Sequence, residues 1–339
     1  MDSANTAGDI KGKQFLGFLK GHKGEVTSMV SGNSGADAAE TKIFISGSRD
    51  KTILIWKLNA SEGAREGELY GEPFMALKGH SHFVSDLVLS KENTYLLSSS
   101  WDKTVRLWDV KTGTCNSTFL GSDKELTSVA VSNDLRKVYT AGLEENIWLW
   151  NTKGKRMESS KQSSNHQDWV SKVRASPSNK NDFLASAGWD GKLKIWLAGL
   201  QLKASFAAHE GPIDALAIST NGMFLATGGR DGYVKTWRFN SLQEALQIIR
   251  VDSNVNDIAF NPNFRIYAVA TEKSVSVFSL EQDVKEPKTV IKIDELKSED
   301  AKTNDHFGKF TSVCWSADGT VLYSGTASGI IAAHKIEIS

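Results

Sequence analysis

Apolar and polar residues alternate in short runs along the chain, and turn-forming residues separate the runs. Val105 and Leu107 belong to one such run, and Leu193 and Ile195 belong to another, each pair with a polar residue between its members. A period of two is typical of strands that bury one face. Asp-Lys, Asp-Gly and Asn-Gly pairs mark the turns. The pattern therefore predicts an all-β chain built from many short antiparallel strands.

One phrase of this pattern occurs seven times. It reads SGSRDKTILIW in its first copy and SSSWDKTVRLW in its second, and successive copies end 41 to 56 residues apart. The copies end at Trp56, Trp108, Trp150, Trp196, Trp237, Phe278 and His334. A period near 40–45 residues is typical of β-propellers, in which each repeat forms a blade of four strands. Seven such units fill the chain from about residue 15 to its end.

A histidine marks the start of most repeats. It stands four residues before an apolar strand in Gly21-His22, Gly79-His80, Asn165-His166, Ala208-His209 and Asp305-His306. Those strands are predicted to begin at Val26, Val84, Val170, Ile213 and Phe310. Repeats three and six carry Ser122 and Val251 in place of the histidine.

With these residues the chain resembles the WD-repeat family of seven-bladed β-propellers over nearly its whole length. The resemblance implies that a histidine, a strand Ser or Thr, a turn Asp and the Trp of each blade form one hydrogen-bonded set. In blade two these residues are His80, Ser98, Asp102 and Trp108. A buried indole and a buried imidazole both need hydrogen-bond partners, and such a set provides them.

The resemblance also implies that an N-terminal strand completes the last blade and closes the ring. The segment Gln14–Leu19 is the expected strand, paired with the segment Gly325–Ile338. We therefore expect a tail at residues 1–13 and a single seven-bladed propeller at residues 14–339. Closure of this kind leaves few free sheet edges.

Charge and composition narrow the function. The 40 Lys+Arg and 40 Asp+Glu cancel, which excludes a protein that wraps nucleic acid non-specifically but leaves room for one basic patch. No apolar run reaches the length of a membrane span and no signal peptide is apparent, so we expect an intracellular protein without membrane insertion. Only Cys115 and Cys314 occur, without a CxxC motif, so neither a disulfide scaffold nor a zinc site is expected.

Most of the residues that could perform catalysis are assigned a structural role in the repeat. Five of the seven histidines occupy the blade-start position, His334 stands where a Trp is expected, and only His82 has no repeat role. The turn aspartates are assigned to the same hydrogen-bonded sets. No phosphate loop, HExxH or GxSxG motif occurs. We therefore expect a protein that is not an enzyme and has no cofactor and no metal.

Two surface features remain. In blades two and four, aromatic residues stand beside the histidine loops and turns, and we expect their rings to lie on the same face. Exposed aromatic rings are typical of protein interfaces, but these rings could equally fold back on their own blades. The expected protein-binding residues are Phe83, Trp101, Trp169, Trp189 and Arg230. Basic residues concentrate in blades one and two, where they either contact phosphates or form an ordinary solvated surface. The expected RNA-binding residues are Arg49, Lys51, Lys20, Lys78 and Lys103.

Finer motifs resemble one WD-repeat subfamily, the receptor for activated C kinase. They are the runs Ser48–Leu58, Leu77–Asp86 and Ser100–Asp109, together with Tyr70-Gly-Glu-Pro, Cys314–Gly319 and an insertion that contains Ile293-Asp-Glu-Leu296. The resemblance implies a cytoplasmic, non-catalytic scaffold on the head of the eukaryotic small (40S) ribosomal subunit. Its implied partners are ribosomal RNA, neighbouring ribosomal proteins, protein kinase C-type kinases and translation factors, and no DNA. The RNA-facing turn of the subfamily corresponds to Arg49 and Lys51.

The chain departs from the subfamily in places. Blade three reads Gly142-Leu-Glu-Glu-Asn146 where the subfamily usually has a second basic turn, and His334 replaces the last Trp. Insertions lie at Gly32–Glu40 and Glu62–Glu68. These departures leave the signalling partners open. The alternative is a WD-repeat signalling or ubiquitin-ligase adaptor that does not bind ribosomes.

Overall fold

The structure, a computed structural model, describes residues 10–34, 41–59, 69–178, 182–197, 199–280, 289–293 and 308–338. In this part of the chain the regular structure is 28 β-strands and one turn of 3-10 helix at Gln162–Ser164. The predicted tail up to residue 9, His306, residues 35–40 of the first insertion and the whole second insertion lie outside the described residues.

The strands form seven blades of four. Blade one has β2 (Val26–Ser34), β3 (Thr41–Ser48), β4 (Thr52–Leu58) and β5 (Leu69–Lys78). Blade two has β6 (Val84–Leu89), β7 (Tyr95–Ser100), β8 (Val105–Asp109) and β9 (Cys115–Phe119). Blade three has β10 (Leu126–Val131), β11 (Lys137–Gly142), β12 (Trp148–Asn151) and β13 (Arg156–Ser159). Blade four has β14 (Val170–Ala175), β15 (Leu184–Gly188), β16 (Lys192–Leu197) and β17 (Gln201–Ala207).

The remaining blades follow the same order. Blade five has β18 (Ile213–Ile218), β19 (Phe224–Gly229), β20 (Tyr233–Arg238) and β21 (Gln247–Arg250). Blade six has β22 (Val255–Phe260), β23 (Ile266–Thr271), β24 (Val275–Ser279) and β25 (Thr289–Ile293). Blade seven has β26 (Phe310–Trp315), β27 (Val321–Thr326) and β28 (Ile330–Ile338), and its fourth strand is β1 (Ile10–Lys20). The prediction of seven antiparallel four-stranded blades is confirmed.

The N-terminal strand closes the ring as predicted. β1 pairs antiparallel with β28, with Phe15 opposite His334 and Lys20 opposite Ile330. It begins at Ile10, four residues before the Gln14 at which the sequence pattern places it, because the pairing with β28 extends to Ile338. β1 also makes a short parallel contact with β5, which joins blades one and seven into one eight-stranded sheet.

The apolar core lies between the blades. The described residues form seven apolar clusters, and each cluster fills the space between two neighbouring blades. Trp108, for example, packs against Ile45 and Ile53 of blade one. The first strand of each blade lies nearest the axis of the ring and contacts the first strands of its two neighbours. The loops that connect one blade to the next therefore gather at one end of the axis.

Candidate functional site

The hydrogen-bonded set of blade two positions two loops on the same face. His80 Nδ1 lies 2.7 Å from Asp102 Oδ2, and His80 Nε2 lies 2.7 Å from Ser98 Oγ. Trp108 Nε1 donates to the same Ser98 Oγ at 2.8 Å. The structure thus brings the four residues together, and it ties the loop before the first strand to the turn between the second and third strands. We call the surface formed by these loops and turns in all blades the histidine face.

Three other blades repeat this geometry. The histidine Nδ1 lies 2.9 to 3.0 Å from the turn aspartate in His22–Asp50, His166–Asp190 and His209–Asp231. Trp56, Trp196 and Trp237 each donate to the strand Ser or Thr of their own blade. Burial alone would raise the pKa of Asp50, but hydrogen bonds from His22 and Thr52 outweigh it and hold the pKa well below its usual range. The turns are therefore held by charge-assisted hydrogen bonds.

Blades three, six and seven depart from this set, and blade six has Val251 and Phe278 in place of the histidine and the Trp. In blade three Trp150 Nε1 still donates to Thr140 Oγ1 at 2.8 Å. Glu144 takes the place of the turn aspartate, but Ser122 replaces its histidine partner. In blade seven His334 is buried, and its Nδ1 has no hydrogen-bond partner among the described residues. Burial lowers the pKa of His334 to about 4, so this imidazole is neutral at physiological pH.

Arg49 and Lys51 both project from the turn of blade one. The Arg49 side chain is 52% exposed, its Nε lies 3.0 Å from Glu25 Oε2, and its guanidinium lies over the Phe83 ring at 5.5 Å. An exposed ion pair of this kind is worth about 0–1 kcal/mol, so it does not prevent Arg49 from contacting a phosphate. Lys51 is exposed. Lys78 stands opposite Thr52 in the ladder between β4 and β5, and so lies beside that turn.

The backbone of two lysines is unusual. Lys51 has φ 72° and Lys103 has φ 70°, the left-handed conformation that L-residues avoid. Blades four, five and seven carry glycine at the same turn position, namely Gly191, Gly232 and Gly329. A lysine there costs about 1–2 kcal/mol of backbone strain that glycine does not incur. Sequence reasoning selected both lysines by charge and missed this strain, although the Asp-Lys against Asp-Gly alternation at the turns was visible.

The remaining lysines lie at the rim of the same face. Lys20 ends β1 and is exposed, with its ammonium 5.7 Å from the Phe18 ring centre. Lys78 ends β5. Lys103 is exposed and its Nζ donates to the Asp123 carbonyl at 3.2 Å. Lys20 and Lys78 each stand two residues before a blade-start histidine, Lys51 lies in the turn of blade one, and Lys103 lies in the corresponding turn of blade two.

The aromatic residues form two sites and not one. Phe83 and Trp101 have ring centres 5.8 Å apart and, with Arg49 and Glu25, line a cavity of about 180 Å³ on the histidine face. Trp101 is 37% exposed. Blade three separates this pair from the aromatic pair of blade four.

The second aromatic site spans blades four and five. Trp169 and Trp189 have ring centres 4.6 Å apart, and the Arg230 guanidinium lies 4.3 Å from the Trp189 ring centre. Asp214 accepts from Trp189 Nε1 at 3.0 Å and from Arg230 Nε at 2.6 Å. Trp189 and Arg230 are thus fixed on the protein, whereas Trp169 keeps 38% of its surface exposed.

Sequence reasoning missed a belt of hydrogen bonds around the mouth of the axial channel. In six blades the second residue of the first strand donates to the backbone carbonyl that begins the next blade. The donors are Thr27, Ser85, Thr127, Ser171, Asn256 and Thr311. Blade five carries Asp214 at this position, which cannot donate when ionised. The recurrence of Ser, Thr or Asn one residue into each repeat was the signal for this belt.

An ion pair joins blades two and four along the first strands, past blade three. Arg174 Nη1 of blade four lies 2.6 Å from Asp86 Oδ2 of blade two, and Ser128 of blade three donates to the same oxygen. Burial acts to raise the pKa of Asp86, but the neighbouring Arg174 charge lowers it to about 2. Nothing in the local sequence pattern pairs residues 88 positions apart.

The described residues contain neither a metal-binding cluster nor a membrane-spanning helix. No group of three or more His, Cys, Asp or Glu side chains in this part of the chain is placed to hold a metal ion. Among the same residues, no helix has the length and apolar character needed to cross a bilayer.

Comparison with known proteins identifies the repeat. The family model described as "WD domain, G-beta repeat" matches residues 13–57, 71–109, 158–196, 200–238 and 299–332, together more than half of the chain. Blades three and six, where Ser122 and Val251 replace the histidine, fall between the matched segments. The blades that the model does not match are thus those in which another residue stands in place of the blade-start histidine.

Three curated fungal proteins are similar over nearly the whole chain. MST50-interacting protein 11 of Pyricularia oryzae is 37% identical over 94% of this chain and 96% of its own length. Cross-pathway control WD-repeat protein 2 of Flammulina velutipes is 37% identical over 92% of this chain and 94% of its own. Small ribosomal subunit protein RACK1 of Neurospora crassa is 36% identical over 94% and 96%.

Proposed function

The chain belongs to the WD-repeat family and, within it, to the group of the receptor for activated C kinase, and on this basis we propose that it is a scaffold that docks on the small ribosomal subunit. The repeat family and the similar proteins point to a protein without catalytic activity. The name of the Neurospora relative supports an association with the small ribosomal subunit, and with it a cytoplasmic location. The position on the head of the subunit is proposed from the subfamily resemblance alone. Ribosomal RNA and neighbouring ribosomal proteins are the proposed partners there.

The observation that carries this proposal is the strained pair Lys51 and Lys103. The described residues include five non-glycine residues with positive φ, and of these only Lys51 and Lys103 are basic, the others being Asn93, Leu135 and Leu200. A left-handed conformation costs stability in such residues, and strained residues of this kind cluster at functional sites. Both side chains are cationic and lie on the histidine face of adjacent blades. Cations held on rigid turns suit a phosphate backbone, whose contacts position a protein without reading sequence.

Around these two lysines we place the rest of the RNA contact. Arg49 and Lys78 flank the turn of blade one, Lys20 stands two residues before the histidine of that blade, and all three are exposed. These five cations are compatible with a net charge of zero, because the 40 Asp+Glu of the whole chain balance its 40 Lys+Arg, and one of those acids, Glu25, pairs with Arg49 at 3.0 Å. The affinity for the subunit is expected to fall with rising salt concentration, as phosphate contacts release counterions.

The aromatic sites are proposed to recruit protein partners while these basic residues hold the subunit. Phe83 and Trp101 form one of these surfaces, and Trp169 with Trp189 and Arg230 forms the other. Exposed aromatic rings supported by arginine are typical of binding hot spots. By the subfamily resemblance, the partners are protein kinase C-type kinases and translation factors.

Gradient sedimentation of cell lysates tests the docking. The wild type is expected to travel with small subunits, and the Arg49→Asp/Lys51→Glu variant is expected to stay at the top. The matched control is Lys111→Glu/Lys153→Glu, which makes the same change in net charge at exposed lysines of the opposite face. Circular dichroism establishes that each variant is folded. If the wild type does not travel with subunits, the protein is instead an adaptor that works away from the ribosome.

A further inference from the structure

A cavity of about 360 Å³ opens on the histidine face between blades three and four. The carboxylates of Glu144, Glu145 and Asp168 line it, with the Trp169 ring on one side and one ammonium group, that of Lys124. The lining is therefore acidic overall and includes an exposed aromatic ring. This differs from the cavity of blades one and two, where Arg49 supplies a positive charge.

Glu144 is not engaged in the structural role that its position has in other blades. In blades one, two, four and five the turn acid bonds the histidine of its own blade, but blade three has Ser122 there. Glu144 Oε2 instead accepts from Trp148 Nε1 at 3.0 Å. The other carboxylate oxygen of Glu144, Oε1, accepts no hydrogen bond among the described residues, although it is shielded from water. A carboxylate oxygen in that condition is an acceptor that lacks a donor.

Trp169 is presented to the cavity by a rigid support. Its ring rests on Trp189, which Asp214 and Arg230 fix in place. In the other six blades, the residue at the position of Asp214 donates a hydrogen bond of the belt. Asp214 instead accepts hydrogen bonds from Trp189 and Arg230, and thereby fixes the two side chains that support Trp169. A large apolar side chain kept partly exposed on a fixed support is pre-organised for a partner.

We propose that this cavity binds a lysine or arginine side chain from a basic segment of a partner protein. The cation lies against the face of the Trp169 ring, where the ring quadrupole attracts positive charge. Its N–H groups donate to the exposed carboxylates of Glu145 and Asp168 in charge-assisted hydrogen bonds, and the negative charge of the neighbouring Glu144 adds to the attraction. The acidic lining disfavours an acidic or phosphorylated segment. The proposal does not depend on ribosome docking, since the proposed RNA-binding residues lie in other blades.

The test uses the purified full-length protein and a fluorescein-labelled peptide that carries three arginines separated by glycine and serine. Fluorescence anisotropy at about physiological salt is expected to show saturable binding by the wild type. Glu144→Gln/Glu145→Gln is expected to raise the Kd at least tenfold. Trp169→Ala leaves the net charge unchanged and is expected to raise the Kd at least fivefold. Glu210→Gln/Glu244→Gln removes the same two charges at exposed positions elsewhere and is expected to stay within twofold.

Three results would overturn the proposal. One is no saturable binding by the wild type; another is an equal loss in the Glu210→Gln/Glu244→Gln control, which would show attraction by diffuse charge. The third is equal binding of a peptide with glutamate in place of arginine. Thermal melts establish that the variants are folded. Glu144→Gln/Glu145→Gln is expected to travel with small subunits as the wild type does, so failure of this proposal and failure of ribosome docking are distinguishable.

Discussion

Replacing the two strained lysines with glycine is expected to stabilise the fold and weaken its docking at the same time. In Lys51→Gly/Lys103→Gly the left-handed backbone no longer bears the steric cost of a Cβ atom, about 1–2 kcal/mol per residue. Glycine also increases the conformational entropy of the unfolded chain, which reduces that gain by about 0.5–1 kcal/mol per residue. The net expectation is a gain of about 0.5–1 kcal/mol at each site, and a melting temperature higher by about 1–3 °C for a chain of 339 residues.

The control places the same side chain at the same turn in another blade. Gly232 has φ 76°, and a Cβ atom there would come no closer than 3.7 Å to its nearest neighbour, the Val251 carbonyl. Gly232→Lys therefore introduces backbone strain without a clash, and its melting temperature is expected to fall by about 1–2 °C. Gly191 and Gly329 are unsuitable, because a Cβ atom would lie 2.6 Å and 2.7 Å from backbone oxygens.

Differential scanning calorimetry and sedimentation read the two effects separately. The glycine double variant is expected to melt higher and to leave small subunits at a lower salt concentration than the wild type, because two phosphate contacts are lost. Gly232→Lys is expected to melt lower and to dock as the wild type does. A lower melting temperature for the double variant would show that the lysine side chains stabilise the fold. Unchanged docking would show that the strain is not retained for the ribosome.

Two further predictions concern the interior. Arg174→Met is expected to cost about 3–5 kcal/mol in urea unfolding, since it leaves Asp86 buried and unpaired, and Arg174→Met/Asp86→Asn should recover part of this loss. The pKa of Asp86 is lowered to about 2 in the folded protein, so its carboxylate contributes fully to the free energy of unfolding above the ordinary pKa of 3.8. This contribution disappears as the pH falls toward 2. An acid-unfolding curve that is the same in the wild type and in the double variant would contradict this expectation. Asp102→Asn weakens the hydrogen bond to His80 and is expected to lower the free energy of unfolding, measured by thermal melts, by about 1–3 kcal/mol. Glu144→Gln is expected to lower it by less than about 1 kcal/mol, because Glu144 faces no histidine. Equal losses in the two variants would refute this distinction.

The fold could be predicted in detail because each blade repeats a local pattern. The predicted starts at Val26, Val84, Val170, Ile213 and Phe310 are the first residues of β2, β6, β14, β18 and β26. Apolar alternation sets the faces of each strand, and turn residues end it, so both are readable within some forty residues. Ring closure by β1 was accessible for another reason, the family resemblance, since no local signal pairs Phe15 with His334.

The candidate site was only partly accessible. The charges of Lys51 and Lys103 and the aromatic rings of Trp101 and Trp169 were visible, but the left-handed backbone depends on turn geometry. That the aromatic residues form two separate sites depends on the order of blades around the ring.

The sequence by itself determined the blades, because the partners of each internal set lie close along the chain. Trp108 and Ser98 are ten residues apart, and the hairpin that joins them forms wherever the repeat occurs. Only the tertiary structure decided which residues of different blades meet. Asp86 of blade two meets Arg174 of blade four, and Asp214 of blade five accepts a hydrogen bond from Trp189 of blade four. Those contacts exist because closure of the ring brings the first strands of all blades around one axis, a condition that no single repeat contains.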